Sequence, residues 1–464
     1  MLQYQVDGQT FYEPWKTFTS KVSSSSNVTY VINPDQAIKV DDTIIQVPTG
    51  VTLDFNNCTL DCSTTVISKN NGTVKNAKVS FFDYTIDNED ASAALFCCIN
   101  EGKLEEIHLK IDTFNIKQAN SSVGCIVGYN VSSIGKCSVT LLNMVNVMNS
   151  ERSNFGLICG TNSNGNITDC KSEGGNISVN SIEIANIGGL CGYSTNGVLH
   201  QNSVKLKSLM CMRIKNGNIA AGVGSCHATK ITKLTCESIY TLSTINMTGI
   251  CHVGCLVGHL NTKSSLEFSQ MKAISNIYSV SCEKVITGGL VGLMEFDSYC
   301  MQSDIKSISL YHSDQCKSNH FGGAVGYNKG YIETIEVGVM FKIKSSNIDT
   351  ENHIGGVVGT NYGMIKNSVV NKILDINTSK INGDNNVGGL CGHNSVHINA
   401  SKVKHIEDGQ IEGYKINNAG GLVGLNEGNI NDCVIDRACD MICYEGLENN
   451  SGNICGHTHT DTSS

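Results

Sequence analysis

One five-residue run, Gly-Gly-apolar-apolar-Gly, recurs down this chain and limits its fold more than any other feature. The clearest copy is Gly420-Gly421-Leu422-Val423-Gly424, followed by Asn426, Gly428, Ile430 and Cys433. The final glycines of successive copies are Gly128, Gly160, Gly192, Gly224, Gly258, Gly292, Gly326, Gly359, Gly392, Gly424 and Gly456, spaced by 32–34 residues. A degenerate copy, Ala94 to Gly102, precedes them. So regular a period marks units that stack, each burying its apolar face only against its neighbours. The length of 464 residues then counts coils rather than domains.

Between the runs the chain alternates apolar and polar residues, as in Val339-Met340-Phe341-Lys342-Ile343-Lys344 and Ile373-Leu374-Asp375-Ile376-Asn377. That is the period of a half-buried strand, and no 3.6-residue period is sustained. Helical repeats of this length would not tolerate 47 glycines, and three prolines in all leave nearly every backbone N–H free for a ladder. The fold expected is all-β: a right-handed parallel β-helix, or β-solenoid, of about twelve coils of 32–34 residues. At ~4.8 Å per coil its repeat region would be roughly 58 Å long.

Three positional roles follow. The repeat glycines are expected to make tight corners at positive φ and to let coils approach closely. Leu422 and Val423 should open a short strand with one side chain inward. An asparagine two places after the final glycine, at Asn130, Asn162, Asn328, Asn361, Asn394 and Asn426, should form a ladder of amides from coil to coil.

The run Gly-Gly-Leu-Val-Gly, then Asn426, Gly428, Ile430 and Asp432-Cys433, resembles the GLUG motif. The resemblance covers roughly residues 90–460; the copies at 419–433 and 354–368 match best, and Ala220-Ala221-Gly222-Val223-Gly224 departs most. GLUG repeats occur in bacterial surface and adhesin-like proteins, in repeat regions attached to immunoglobulin-A peptidases, and in some protist proteins. The resemblance implies a surface or adhesive role and names no activity. Upstream, Ile45-Gln46-Val47-Pro48-Thr49-Gly50-Val51-Thr52-Leu53 resembles the opening coil of pectate-lyase-like β-helices, many of which cleave polysaccharides. The expected division is an N-terminal cap over 1–35, first coils over 36–90, the repeat solenoid over 91–456, and a frayed tail over 457–464.

Composition narrows the partners. Net charge is −9, and Arg152, Arg213 and Arg437 are the only arginines, so nucleic acid and anionic polymers are not expected. No apolar run is long enough for a transmembrane segment. The start at Met1 lacks a signal-peptide pattern, which implies intracellular synthesis with reduced thiols if Met1 is native; loss of a leader or anchor is the alternative. A protein or glycan partner is expected, on a cell surface or virion by the resemblance, with self-association along the solenoid a further route. Eleven Asn-x-Ser/Thr sequons, Asn27, Asn57, Asn120, Asn166 and Asn377 among them, follow from a chain rich in these residues.

Side chains that could carry chemistry each have a plainer reading. Cys159, Cys191, Cys391 and Cys455 precede a final glycine, while Cys137, Cys170, Cys300 and Cys433 follow one by eight to ten residues. Metal sites or disulfides are one reading; small buried apolar residues are the other, since the first slot holds valine in other coils. Cys251, His252 and Cys255 have metal-ligand character but lie within a repeat core, and Cys226-His227 should face opposite ways on a strand. His259, His393 and His457, after final glycines, read as tolerant surface positions. Glycosidase chemistry needs two close carboxylates; the candidates are Asp41/Asp42, Asp54/Asp61, Asp83/Asp87/Asp90 and Glu295/Asp297, and none recurs in register. No catalytic, metal-binding or cofactor-binding residue is assigned. The leading expectation is a non-catalytic structural or adhesive rod; the alternative is a polysaccharide-active enzyme.

Overall fold

Each repeat forms one turn of a parallel β-solenoid of about 12 turns. The computed structural model describes residues 1–34, 36–40, 44–87, 92–117, 122–438, 441–444 and 447–458. The second apolar residue of each motif opens a short strand, such as Val358–Asn361, and these stack into a 14-stranded parallel sheet. The degenerate copy takes its place as Cys97–Asn100, in register with Val127–Asn130. Two earlier strands, Ile45–Val47 and Ile67–Asn70, extend the sheet upstream. The rest of each coil pairs in parallel with the same segment one turn away, as Tyr331–Ser346 does with Tyr299–Asp314.

Register turns scattered residues into columns. One column reads Ile134, Ile167, Leu199, Ile231, Leu266, Cys300, Ile332, Ile365, Ile398 and Ile430, all buried but the last. Each such side chain contributes about 1.5–3 kcal/mol by leaving water. Cys300 therefore does not belong with Cys137 and Cys170; it stands three places earlier, in an isoleucine slot. A second column interleaves Cys97, Cys159, Cys191, Cys391 and Cys455 with valines, and Cys159 and Cys191 are directly paired. Thiol and isopropyl groups thus fill one slot interchangeably. Most of the described cysteines are buried.

The glycines and the left-handed corners are different residues. Among the described glycines only Gly8, Gly50, Gly174 and Gly175 have positive φ, and none is a repeat glycine. Most coils need the repeat glycines because a Cβ would collide with backbone, although Ala94 and Ala220 hold the first-glycine position in two coils. A Cβ on Gly355 would overlap the Val358 carbonyl, and one on Gly359 would lie 2.7 Å from the Gly326 carbonyl oxygen. The left-handed corner comes eight to ten residues later and is made by Lys136, Asp169, Gln201, Lys233, Phe268, Gln302, Thr334, Asn367, Ala400 and Asp432, with φ of 46–56°. The N–H groups of Lys136, Asp169, Gln201, Lys233, Phe268, Asn367 and Ala400 still reach the next coil, that of Asn367 meeting the Asn399 oxygen at 3.1 Å. The expectation of one inward side chain per motif is also revised: Leu422, in the bend, and Val423, on the strand, are both buried.

At the N-terminus, Leu2–Val6 pairs antiparallel with Gln9–Glu13 and with Thr29–Ile32, which joins the stack through Thr52–Asp54. Helix Trp15–Ser23 packs beside Ile45–Val47, and Gln46 N–H donates to Ser23 Oγ. Its buried face is Phe18, Thr19 and Val22, too short a stripe for periodicity to reveal. At the other end Cys455–Thr458 pairs with Val423–Asn426, so the last strand takes in the first two residues of the expected tail, and 459–464 lie outside the described residues.

Candidate functional site

The expected amide ladder is present and has a gap. Nδ2 of Asn130 donates to Oδ1 of Asn162 at 2.7 Å, and Asn328, Asn361, Asn394 and Asn426 are joined at 2.8 Å each. Upstream it includes Asn70 and Asn100. In the intervening coils the slot holds Ser194, Cys226, Leu260 and Met294. A second ladder, buried at Asn319, Asn352, Asn385 and Asn417 and ending at the exposed Asn449, runs along the strands before the glycines. Both are structural: their polar atoms are spent on one another.

A third column faces outward and builds the candidate site. The residue two places before the first repeat glycine is Asn154, Asn186, Asn218, His252, Ile286, His320, His353, Asn386, Asn418 or Asn450, in register. The residue just after the final glycine faces this column across the Gly-Gly bend: Thr161 meets Asn154, His259 meets His252, and Thr360 meets His320 and His353. Five successive coils line a cleft of about 320 Å³ with Lys284, His320, Tyr327, Glu351, His353, Thr360, Tyr362, Asp384, Asn386, His393, Leu425 and Glu427.

Its polar groups are closely connected. Nε2 of His320 lies 3.0 Å from Oε1 of Glu351, which also accepts from Ser318 at 2.9 Å and lies 3.3 Å from Lys284 Nζ. Oγ1 of Thr360 is 2.8 Å from Nδ1 of His320 and 2.7 Å from Nδ1 of His353. Nε2 of His393 is 2.9 Å from Oε2 of Glu427. The hydrogen bond from His320 holds the Glu351 carboxyl far below the usual range, and burial pushes His320 and His353 down, so both imidazoles are neutral at pH 7. Tyr327 and Tyr362 present near-parallel rings, 5.5 Å apart and 16° from coplanar, along one wall. Burial pushes the Tyr327 phenol up to about 12.

The expected candidates fall elsewhere or change character. His393 is buried in the cleft rather than at a tolerant surface position, and His259 is half-buried with burial pushing it down to about 4. His457 shares their register. Cys251 and Cys255 line the core while His252 faces the outer groove, so the three do not converge, and no metal-ligating group of three forms among the described residues. Cys226 is buried in the ladder slot, beside the half-buried His227. Asp54 pairs with Lys75 and Glu295 with Lys329, while Asp61, Asp83, Asp87 and Asp297 are exposed. Asp41, Asp42, Asp90 and Asn120 lie outside the described residues. Sequence reasoning missed Glu351, Asp384 and Glu427, the carboxylates of the cleft. It also missed the His/Asn column, although its signal is plain: asparagine or histidine two places before nearly every first glycine.

No protein-family model matches the chain, and neither a curated protein nor a solved structure is similar to it. Among the described residues no helix is long and apolar enough to cross a membrane.

Proposed function

We propose that the chain is a non-catalytic structural or adhesive rod that presents its outer groove to a protein or glycan partner. The GLUG resemblance is what supports a cell-surface or virion setting for such a rod. The observation that carries this reading is the cleft itself: a polar, aromatic-walled recess on one continuous outer column, held by coils whose other polar side chains largely serve to stack them. Regular stacking makes a rigid surface, which lowers the cost of ordering on binding. The test is a pull-down with the intact chain from glycan and protein pools, paired with reducing-sugar release on mixed polysaccharides. Saturable capture without release supports the rod; turnover overturns it.

The polysaccharide-active reading keeps one favouring observation. Glu351, Asp384 and Glu427 line the same cleft, and paired carboxylates are what glycoside hydrolysis requires. Against it, Glu351 is already engaged by His320, Ser318 and Lys284, and Glu427 by His393.

A further inference from the structure

Two buried side chains of the cleft wall, on neighbouring coils, each carry a polar atom with no hydrogen-bond partner among the described residues. The first is Nε2 of His353. An ionised Glu351 can only accept, so Nε2 of the neutral His320 carries its proton and Nδ1 of His320 must accept from the Thr360 hydroxyl. With its one hydrogen committed, the Thr360 oxygen accepts from Nδ1–H of His353. The relay Glu351, His320, Thr360 thereby fixes the tautomer of His353 and leaves its Nε2 lone pair free, on a side chain 5% exposed. The second atom is Nδ2 of Asn386, buried without an acceptor. Oδ1 of Asn386 is taken by Nδ2 of Asn418 at 2.7 Å, so that ladder ends at Asn386 with its donor spare. Asn386 and His353 are in register.

A free acceptor beside a free donor suits a hydroxyl, which donates one hydrogen and accepts through its oxygen. The surroundings select among hydroxyl-bearing molecules. Glu351, Asp384 and Glu427 face Lys284 alone, and Lys284 is on Glu351, so an anionic ligand is repelled. The rings of Tyr327 and Tyr362 offer an apolar wall with polar tips, the pairing that suits a sugar with one apolar face. We propose that this cleft binds a neutral, hydroxyl-rich glycan, seating one sugar hydroxyl between Nε2 of His353 and Nδ2 of Asn386 while the ring packs against Tyr327 and Tyr362. The inference rests on the reading of the cleft as the presented surface and adds the ligand class. Thr360 is a positioning residue in it, acting only through His353.

The test titrates the intact chain by calorimetry with cello-, manno- and xylo-oligosaccharides and with oligogalacturonate, and follows His353 by ¹⁵N NMR. The expected result is binding of at least one neutral oligosaccharide, no binding of oligogalacturonate, and a shift of the His353 Nε2 resonance on saturation. Tyr362→Ala, at an exposed ring, and His353→Gln should each weaken binding at least tenfold. Thr360→Val should weaken binding and also move His353 toward a mixture of tautomers, which a merely structural role would not do. Tighter binding of oligogalacturonate overturns the inference, as does unchanged affinity in Tyr362→Ala. A His353 signal that no neutral sugar moves means that only water fills the gap, and this too overturns it. In that case a captured protein partner would leave the broader reading standing; release of reducing ends would remove the broader reading itself.

Discussion

Replacing Asn361 by alanine tests whether the amide ladder holds the coils together. The side chain is fully buried. Its Nδ2 donates to Oδ1 of Asn394 at 2.8 Å and to the Gly363 oxygen at 3.0 Å, and its Oδ1 accepts from Nδ2 of Asn328 at 2.8 Å. Truncation strands the amide of Asn328 above and the carbonyl of Asn394 below. Each buried orphan costs about 1–3 kcal/mol, so the pair is worth about 2–6 kcal/mol. Asn426 is the last member: it accepts from Asn394 and donates only within its own coil, to the Gly428 oxygen at 2.8 Å, so Asn426→Ala strands one ladder partner instead of two and should cost about 1–2 kcal/mol. The slot is not polar by necessity, because Leu260 and Met294 fill it where neighbours make no amide demand. The penalty therefore belongs to the broken partnership, not to the loss of a polar atom. Urea unfolding followed by far-UV circular dichroism would measure it, with slopes compared because repeat arrays can lose two-state behaviour. A cost below about 1 kcal/mol for Asn361→Ala, or equal costs at Asn361 and Asn426, would refute the reasoning.

Gly355→Ala should cost about 3 kcal/mol or more because its Cβ overlaps the Val358 carbonyl, whereas Gly135→Ala, with 3.6 Å to its nearest neighbour, should change stability by under about 0.5 kcal/mol in the same assay. Ala400, exposed at φ 46°, is in a conformation that costs alanine about 1 kcal/mol, so Ala400→Asn should raise the urea midpoint. Burial holds His252 at about 3 and His259 at about 4, below the ~6.5 of an unfolded histidine. Their contribution is therefore intact above pH 6.5 and is lost as pH falls towards those values, about 2 kcal/mol each by pH 5. His252→Asn, which restores the commonest residue of its column, should remove its share of that loss when unfolding is compared at pH 7 and pH 5. Thiol titration should find all 22 cysteines in denaturant but few in the native chain, since burial pushes Cys226, Cys236 and Cys300 up to about 12.

The coil count, the stacking direction and the first amide ladder were legible because they depend on residues that vary little from coil to coil. The Val358 carbonyl leaves no room for a Cβ on Gly355, and a buried amide is most fully satisfied by another amide next to it. The left-handed corner was illegible for the opposite reason. Lys136, Phe268 and Ala400 all occupy it; only the backbone is constrained there, and about 1 kcal/mol of strain is small beside the burial of the next residue. Cys300 was misplaced because counting from glycine ignores the one- or two-residue differences between coils that pairing absorbs. The cleft was hidden at another level. His320, Thr360 and Glu351 are far apart in sequence, and their proximity needs both the register and the side on which the Gly-Gly bend brings two strands together.

The gap in the first amide ladder has a mechanical consequence. Asn162 still donates to Ser194 Oγ at 3.2 Å, but from there to Asn328 the slot holds Cys226, Leu260 and Met294, whose contacts are short in range and largely indifferent to direction, while the flanking stretches are stitched by aligned amides. Pulled along its axis, such a rod has two stiff ends and a softer waist. A force–extension record should show the waist yielding first, in steps of one coil, and both ends holding to higher load. Placing asparagines at 194, 226, 260 and 294 together is expected to level the two forces.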